Sequence, residues 1–134
     1  MFEELREMNN QIRVKTERLA ELRASLTSIG SPLSEKVQTS PTDRLSNLMC
    51  KIILLENELD GMIDEYADLK AMVTGVIFSL ENEGWQDVLY AHYVEFKPWG
   101  DIAESQNSTI KAVLRKKDRA LRKLKSITKD TKSS

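Results

Sequence analysis

The chain carries one cysteine, Cys50, and one histidine, His92. A lone cysteine excludes an intramolecular disulfide and any zinc site built on a cysteine cluster, and a lone histidine leaves little material for a transition-metal or Ser-His-Asp site. No metal and no cofactor are expected. Proline and glycine are scarce, three and five in 134 residues, and 31% of the chain is charged, which is a soluble, helix-rich composition. No apolar run approaches the roughly 18 residues of a membrane span. The start, Met1-Phe-Glu-Glu, is acidic where a secretory signal is basic. A cytoplasmic protein with no membrane partner is the expectation. Nucleotide loop, nucleophile elbow and metal-ligand spacing are all missing. Acid pairs such as Glu56 with Glu58 and Asp64 with Glu65 have no pocket-forming segment beside them, so they read as a solvated face and the protein as no enzyme.

A formal net charge of −1 conceals a strong asymmetry. Residues 1–42 balance six acids with six bases, and residues 43–104 hold thirteen acids and four bases. Residues 108–134 reverse the sign, with ten bases (Lys111, Arg115, Lys116, Lys117, Arg119, Arg122, Lys123, Lys125, Lys129 and Lys132) against Asp118 and Asp130. A basic end of this density has the character of a polyanion-binding surface, and equally of a solvated helical tail.

Apolar side chains fall at Leu45, Leu48, Ile52, Leu55, Leu59, Met62, Tyr66, Leu69, Val73, Val76 and Leu80, alternating steps of three and four without a break. That heptad seam predicts one helix over about 43–80. At 1.5 Å per residue it would be about 57 Å long and would need a partner to bury the stripe. Leu5, Met8, Ile12, Lys15, Leu19, Leu22, Leu26 and Ile29 repeat the pattern with one polar member, so a helix over about 3–29 is a candidate partner. Gly30, Ser31 and Pro32 end it, and Ser40 or Thr42 can cap the next helix, which leaves a linker at 30–42. Met49, Ile63 and Ile77 widen the stripe on the long helix beyond a two-helix seam, and a homodimer through this coiled region is therefore expected. Lys15 in the seam fits a register-fixing role or a snorkelling flank residue. Gly61, Gly75 and Cys50 fall away from the seam.

Glu81-Asn82-Glu83-Gly84 reads as a break, after which three shorter helices are expected: Trp85 to Val94, Pro98 to Ser105, and about Ile110 to Ile127. Residues 128–134 read as a basic flexible tail. The fold class is thus all-α, with long coiled-coil helices in 1–80 and a tri-helical helix-turn-helix unit in 81–127. Such a unit needs a small residue where two helices touch, a turn residue tolerant of left-handed geometry, a capping hydroxyl and an apolar residue inside the second helix. Ala103, Asn107, Thr109 and Val113 supply these in order, while Gln106, Ser108 and Lys116 stand where apolar residues are expected. Trp85 and Trp99 read as core anchors and His92 as a partly buried packing residue.

Trp85-Gln-Asp-Val-Leu-Tyr-Ala-His-Tyr93, Trp99-Gly-Asp-Ile-Ala103 and Arg119-Ala-Leu-Arg-Lys-Leu124 together resemble region 4 of sigma factors. More narrowly, the chain resembles the small sigma-region-4-like regulators encoded by phages and prophages of Gram-positive bacteria, the group of the ArpU-type and RinA-type late-gene activators. Val37-Gln-Thr-Ser-Pro41 followed by a long acidic helix extends the resemblance upstream, so that it covers about residues 20–124. His92 stands where the family pattern usually has arginine.

The resemblance implies a sequence-specific DNA-binding transcription regulator whose last helix enters the major groove of double-stranded DNA. Thr109, Lys111, Ala112, Arg115 and Lys116 would then face outward, with Val113 and Leu121 held inward. Arg115 is the candidate for a bidentate guanine contact, because only a guanidinium fork matches O6 and N7 together. Lys111, Lys117, Arg119, Arg122 and Lys123 are assigned to phosphates, with Arg119 also expected as a salt-bridge partner of an acid in the preceding helices. RNA polymerase is a further candidate partner. The competing reading is a non-enzymatic coiled-coil adaptor whose C-terminal unit binds protein instead of DNA.

Overall fold

The computed structural model describes residues 1–29 and 41–133, and every regular element among them is helical. Helix α1 spans Phe2–Ile29 and α2 spans Pro41–Phe78. Helix α3, Glu83–Leu89, runs on into a π-helical turn, Tyr90–Val94. Helices α4, Trp99–Ser105, and α5, Ile110–Ser133, complete the chain. No described helix is long and apolar enough to cross a membrane. The expected stop at Gly30-Ser31-Pro32, the Ser40 and Thr42 caps and the Val37–Ser40 segment lie outside the described residues, apart from the helical backbone of Thr42.

Contacts divide the chain into two compact units, Glu7–Tyr66 and Met1–Arg6 together with the chain from Ala67 onward. In the first, α1 packs on α2 as the paired seams require. Leu19, Ile52, Leu55 and Leu59 are buried, with Ile12, Leu22, Leu26 and Leu48 packed around them. Fully burying one such aliphatic side chain contributes about 1.5–3 kcal/mol, so this short cluster is the main support of the helix pair. Lys15, the polar seam member, keeps its stem half-buried and pairs its Nζ with Glu58, while Arg23 Nη2 reaches Glu56 Oε1 at 2.8 Å. Lys15 precedes Arg23 along α1 whereas Glu58 follows Glu56 along α2, the order two antiparallel helices demand. Both pairs are too exposed to add more than about 1 kcal/mol each, and they serve the alignment more than the stability.

The seam fails at its first position. Leu45 is 41% exposed, and Met49, Ile53 and Ile63 on the same flank are equally open, at 40%, 48% and 47%. Ile77 corrects the expectation of an uncovered flank in the other direction, for it is fully buried in the second unit with Val73 and Leu80. Gly61 and Gly75 sit in unbroken helix, where an added Cβ would meet nothing within 4 Å.

In the second unit the break after α2 comes at Ser79–Asn82. The Asn82 side chain caps α3 by accepting from the Trp85 backbone N–H at 3.2 Å, which starts the helix at Glu83, two residues before the expected Trp85. The single helix expected to Val94 is instead α3 plus the π turn, in which the Glu95 N–H donates to the Tyr90 carbonyl at 3.0 Å. Phe96 then adopts a left-handed φ of 60°, and the Lys97 N–H closes on the Ala91 carbonyl at 2.9 Å. Val94 is the expected end of the helix, but no glycine or proline lies within 90–97, so residue periodicity gives the end without revealing the π turn. At the far end, α5 continues to Ser133 where a flexible tail over 128–134 was expected; nothing after Ile127 breaks a helix, since no glycine or proline follows.

Candidate nucleic-acid interface

Helix α4 ends in a set of bonds that the residue types explain. The Ser108 N–H donates to the Ala103 carbonyl at 2.8 Å and the Asn107 N–H to the Glu104 carbonyl at 3.1 Å. This is a Schellman ending, and Asn107, at its left-handed position, has φ 51°. Asparagine tolerates that conformation better than any residue but glycine. Thr109 then caps α5, its Oγ1 accepting from the Ala112 N–H at 3.2 Å. Across the junction Ala103 and Val113 are buried with Val88 and Ile102, and Trp99 and Ala91 pack on the cluster. Each of the four junction residues singled out in the sequence therefore does what its type suggested.

The polar residues of the junction are accommodated in different ways. Ser108 and Lys116 are half-buried, and the Gln106 side-chain oxygen is buried without a donor among the described residues.

Helix α5 packs through Val113, Ala120 and Leu124, all buried. With Lys117 between them these residues step 4-3-4, so Lys117 occupies a seam position. Its side chain is only 25% exposed, with Nζ 5.6 Å from the centre of the Trp99 ring and 3.1 Å from Asp118 Oδ1. The sequence reading that gave Lys117 to a phosphate missed this, and missed Ala120 as well. The 4-3-4 spacing was the available signal, hidden because one member is charged and one is small.

On the opposite face, Lys111, Arg115, Arg119 and Arg122 follow one another by four, four and three residues and are all exposed. Lys123 lies exposed on the flank. None of these five makes an ion pair with a described residue. The salt bridge expected of Arg119 is absent for a geometric reason: six residues from Val113, it projects away from the face that α5 turns to α3 and α4. Ala112 and Lys116 are half-buried at the edge of the packed face rather than outward, and Leu121 is half-buried.

An aromatic group supports the junction from behind. His92 stacks on Trp99 at 3.6 Å and 14°, Tyr93 meets Trp99 edge-on, and Phe2 stacks on Tyr93 at 4.3 Å and 16°. The first turn of α1 is thereby part of this unit, with Leu5 fully buried, a role for Phe2 that its sequence context did not suggest. The His92 ring makes a 2.9 Å bond between Nδ1 and the Lys97 carbonyl, which fixes the proton on Nδ1. Burial lowers the His92 pKa below its ordinary value; the carbonyl bond opposes this, and the charges of Arg6 and Lys117 reinforce it. Burial raises the Tyr93 phenol.

No group of three or more His, Cys, Asp or Glu side chains able to hold a metal occurs among the described residues. Cys50 is free and exposed. No protein-family model, curated protein or solved structure matches the chain.

Proposed function

We propose that the protein is a sequence-specific DNA-binding transcription regulator, of the phage or prophage sigma-region-4-like kind that the sequence resembles. In this reading α4, its turn and α5 act as a helix-turn-helix. The observation that carries it is the face of α5 formed by Lys111, Arg115, Arg119 and Arg122, exposed and free of ion pairs with described residues, directly after a tightly bonded turn. Cations neutralised by neighbouring acids have little to offer a polyanion, whereas unpaired ones can replace the counterions condensed on phosphates. Arg115, the second of the stripe and near the start of α5, is the residue assigned to a base edge; Lys111, Arg119, Arg122 and Lys123 are assigned to phosphates. Thr109 serves as the cap that can also approach the backbone, Ala112 and Lys116 border the groove-facing side, and Lys117 acts by holding α5 to Trp99. Self-association through the open Leu45, Met49, Ile53 and Ile63 flank would present two such helices to a pseudo-palindromic site. RNA polymerase remains the second partner this reading calls for.

The test is a duplex-binding titration over a range of salt, on a site selected from a random DNA pool. Four phosphates neutralised, by Lys111, Arg119, Arg122 and Lys123, at about −0.9 each give a log-log slope of about −3.6. Equal affinity for single strands, or a slope close to zero, would refute the proposal.

A further inference from the structure

A cleft of about 290 Å³ opens in the second unit between the π turn and the end of α4, lined by no residue of α5. Its apolar walls are Phe78, Tyr90 and Ile102, its acidic members are Asp87 and Glu95, and Gln106 closes one end. Four independent features converge there. Phe78 is a large apolar side chain left 51% exposed, and its ring stands 5.7 Å from that of Tyr90, tilted by 45°. The two carboxylates are both exposed, and among the described residues the ion pair they make is a loose one, Lys97 Nζ at 3.8 Å from Glu95 Oε2. Gln106 Oε1 is buried with no hydrogen-bond donor among the described residues. The backbone itself is irregular at this point, because the π turn begins at Tyr90 and the left-handed Phe96 follows Glu95.

We infer that this cleft receives an arginine side chain from a partner protein. Tilted aromatic rings offer π faces to a flat cation, and carboxylates accept the parallel N–H bonds of a guanidinium fork. A lysine ammonium carries the charge but neither the plane nor the fork, so the chemistry favours arginine over lysine. A phosphate or any other anion is excluded by the two carboxylates. The inference is independent of DNA binding by α5, since no residue of the cleft belongs to that helix.

The experiment uses the full-length isotope-labelled chain and three small probes: N-acetyl-arginine amide, N-acetyl-lysine amide and N-acetyl-citrulline amide. We expect saturable, millimolar shifts from the arginine probe at the Gln106 side-chain amide and at the Tyr90, Ala91 and Glu95 backbone signals. The lysine probe binds several-fold more weakly and the uncharged citrulline probe not at all. Asp87→Asn combined with Glu95→Gln weakens the arginine probe about tenfold or more through loss of the charge-assisted bonds. Both positions are exposed, and unchanged signals elsewhere show that the variant is folded. Equal response to arginine and lysine spread over the acidic surface of α2, or no shift at Gln106, would overturn the inference. So would a fall in the oligomeric mass of the double variant, because the arginine would then come from a second copy of the chain.

Discussion

Asn107 gives the most direct test of how the α4–α5 junction is held. Its φ of 51° belongs to the left-handed region, and the Schellman bonds from Asn107 and Ser108 to Glu104 and Ala103 depend on that conformation. The side chain itself is exposed and makes no hydrogen bond with a described residue, so a substitution acts almost wholly through the backbone. A residue with an ordinary Cβ pays about 1–2 kcal/mol to remain left-handed, and asparagine less. Asn107→Ala is therefore expected to destabilise the second unit by about 1 kcal/mol, and Asn107→Gly to be neutral or stabilising by a few tenths. Both tryptophans, Trp85 and Trp99, lie in this unit, so their fluorescence during urea unfolding reports on it alone. An unchanged slope with a shifted midpoint isolates stability from a change in the unfolded state. Alanine as stable as asparagine, or glycine as damaging as alanine, would refute the backbone argument. Phe96 makes the contrast instructive: it is equally left-handed at 60° but half-buried, so glycine there would relieve strain only by giving up packing.

Arg115→Ala should relax preference at a single base pair at a cost of about 1–3 kcal/mol, whereas Lys123→Ala should weaken all duplexes alike and reduce the salt slope by about one. Identical behaviour of the two variants in a binding assay would contradict their assignment. The His92 pKa is held below its ordinary 6.5, so as pH falls through 6.5 the unfolded chain takes up a proton before the folded one does, and stability is lost between 6.5 and the lower folded value. Urea midpoints from about pH 7 to about pH 5.5 should fall, and His92→Gln should remove that part of the slope; a midpoint that rises on acidification contradicts the burial of the ring. Ile63→Glu should convert a self-associating chain into a monomer in sedimentation or light scattering. A parent chain that stays monomeric well above micromolar concentration ends the dimer proposal.

Much of this architecture was legible because it depends on periods and on residues with few conformational options. The 3-4 spacing from Leu48 to Leu59 and from Ile12 to Leu26 marks faces that do pack, and Lys15 finds an acid because a cation in an antiparallel seam lies within reach of the neighbouring helix. Asn107 and Thr109 were readable for the same reason, as turn and cap chemistry is local. What the sequence hid is non-local. Phe2 lies more than eighty residues from Tyr93, and no local pattern links an aromatic residue in the first turn of α1 to one in the π turn. The π turn lacks any breaker residue, and the open flank at Leu45 looks like the rest of the seam until the partner helix is seen not to cover it. In the candidate interface the cations were readable by type but not by face, since Lys117 and Arg119 differ only by the two residues that carry one into the seam and the other out of it.

That difference can be weighed with a number. If every net charge of the +8 segment met a phosphate, the salt slope would be about −7. The packing of α5 argues for fewer contacts. Lys117 lies over Trp99, Lys116 is half-buried, and Lys125 lies off the stripe, three residues beyond Arg122 along the groove that both line with Met1, Phe2 and Leu121. Among the side chains described, Lys111, Arg119, Arg122 and Lys123 remain for phosphates, with Arg115 given to a base edge, for a slope of about −3.6. A gap this wide separates a helix that binds through one ordered face from a basic segment that binds through its total charge. Lys117→Ala sharpens the distinction: on the ordered-face account it loosens the contact between α4 and α5 and lowers the unfolding midpoint while leaving the slope at about −3.6, whereas on the total-charge account it takes about one from the slope and spares the fold.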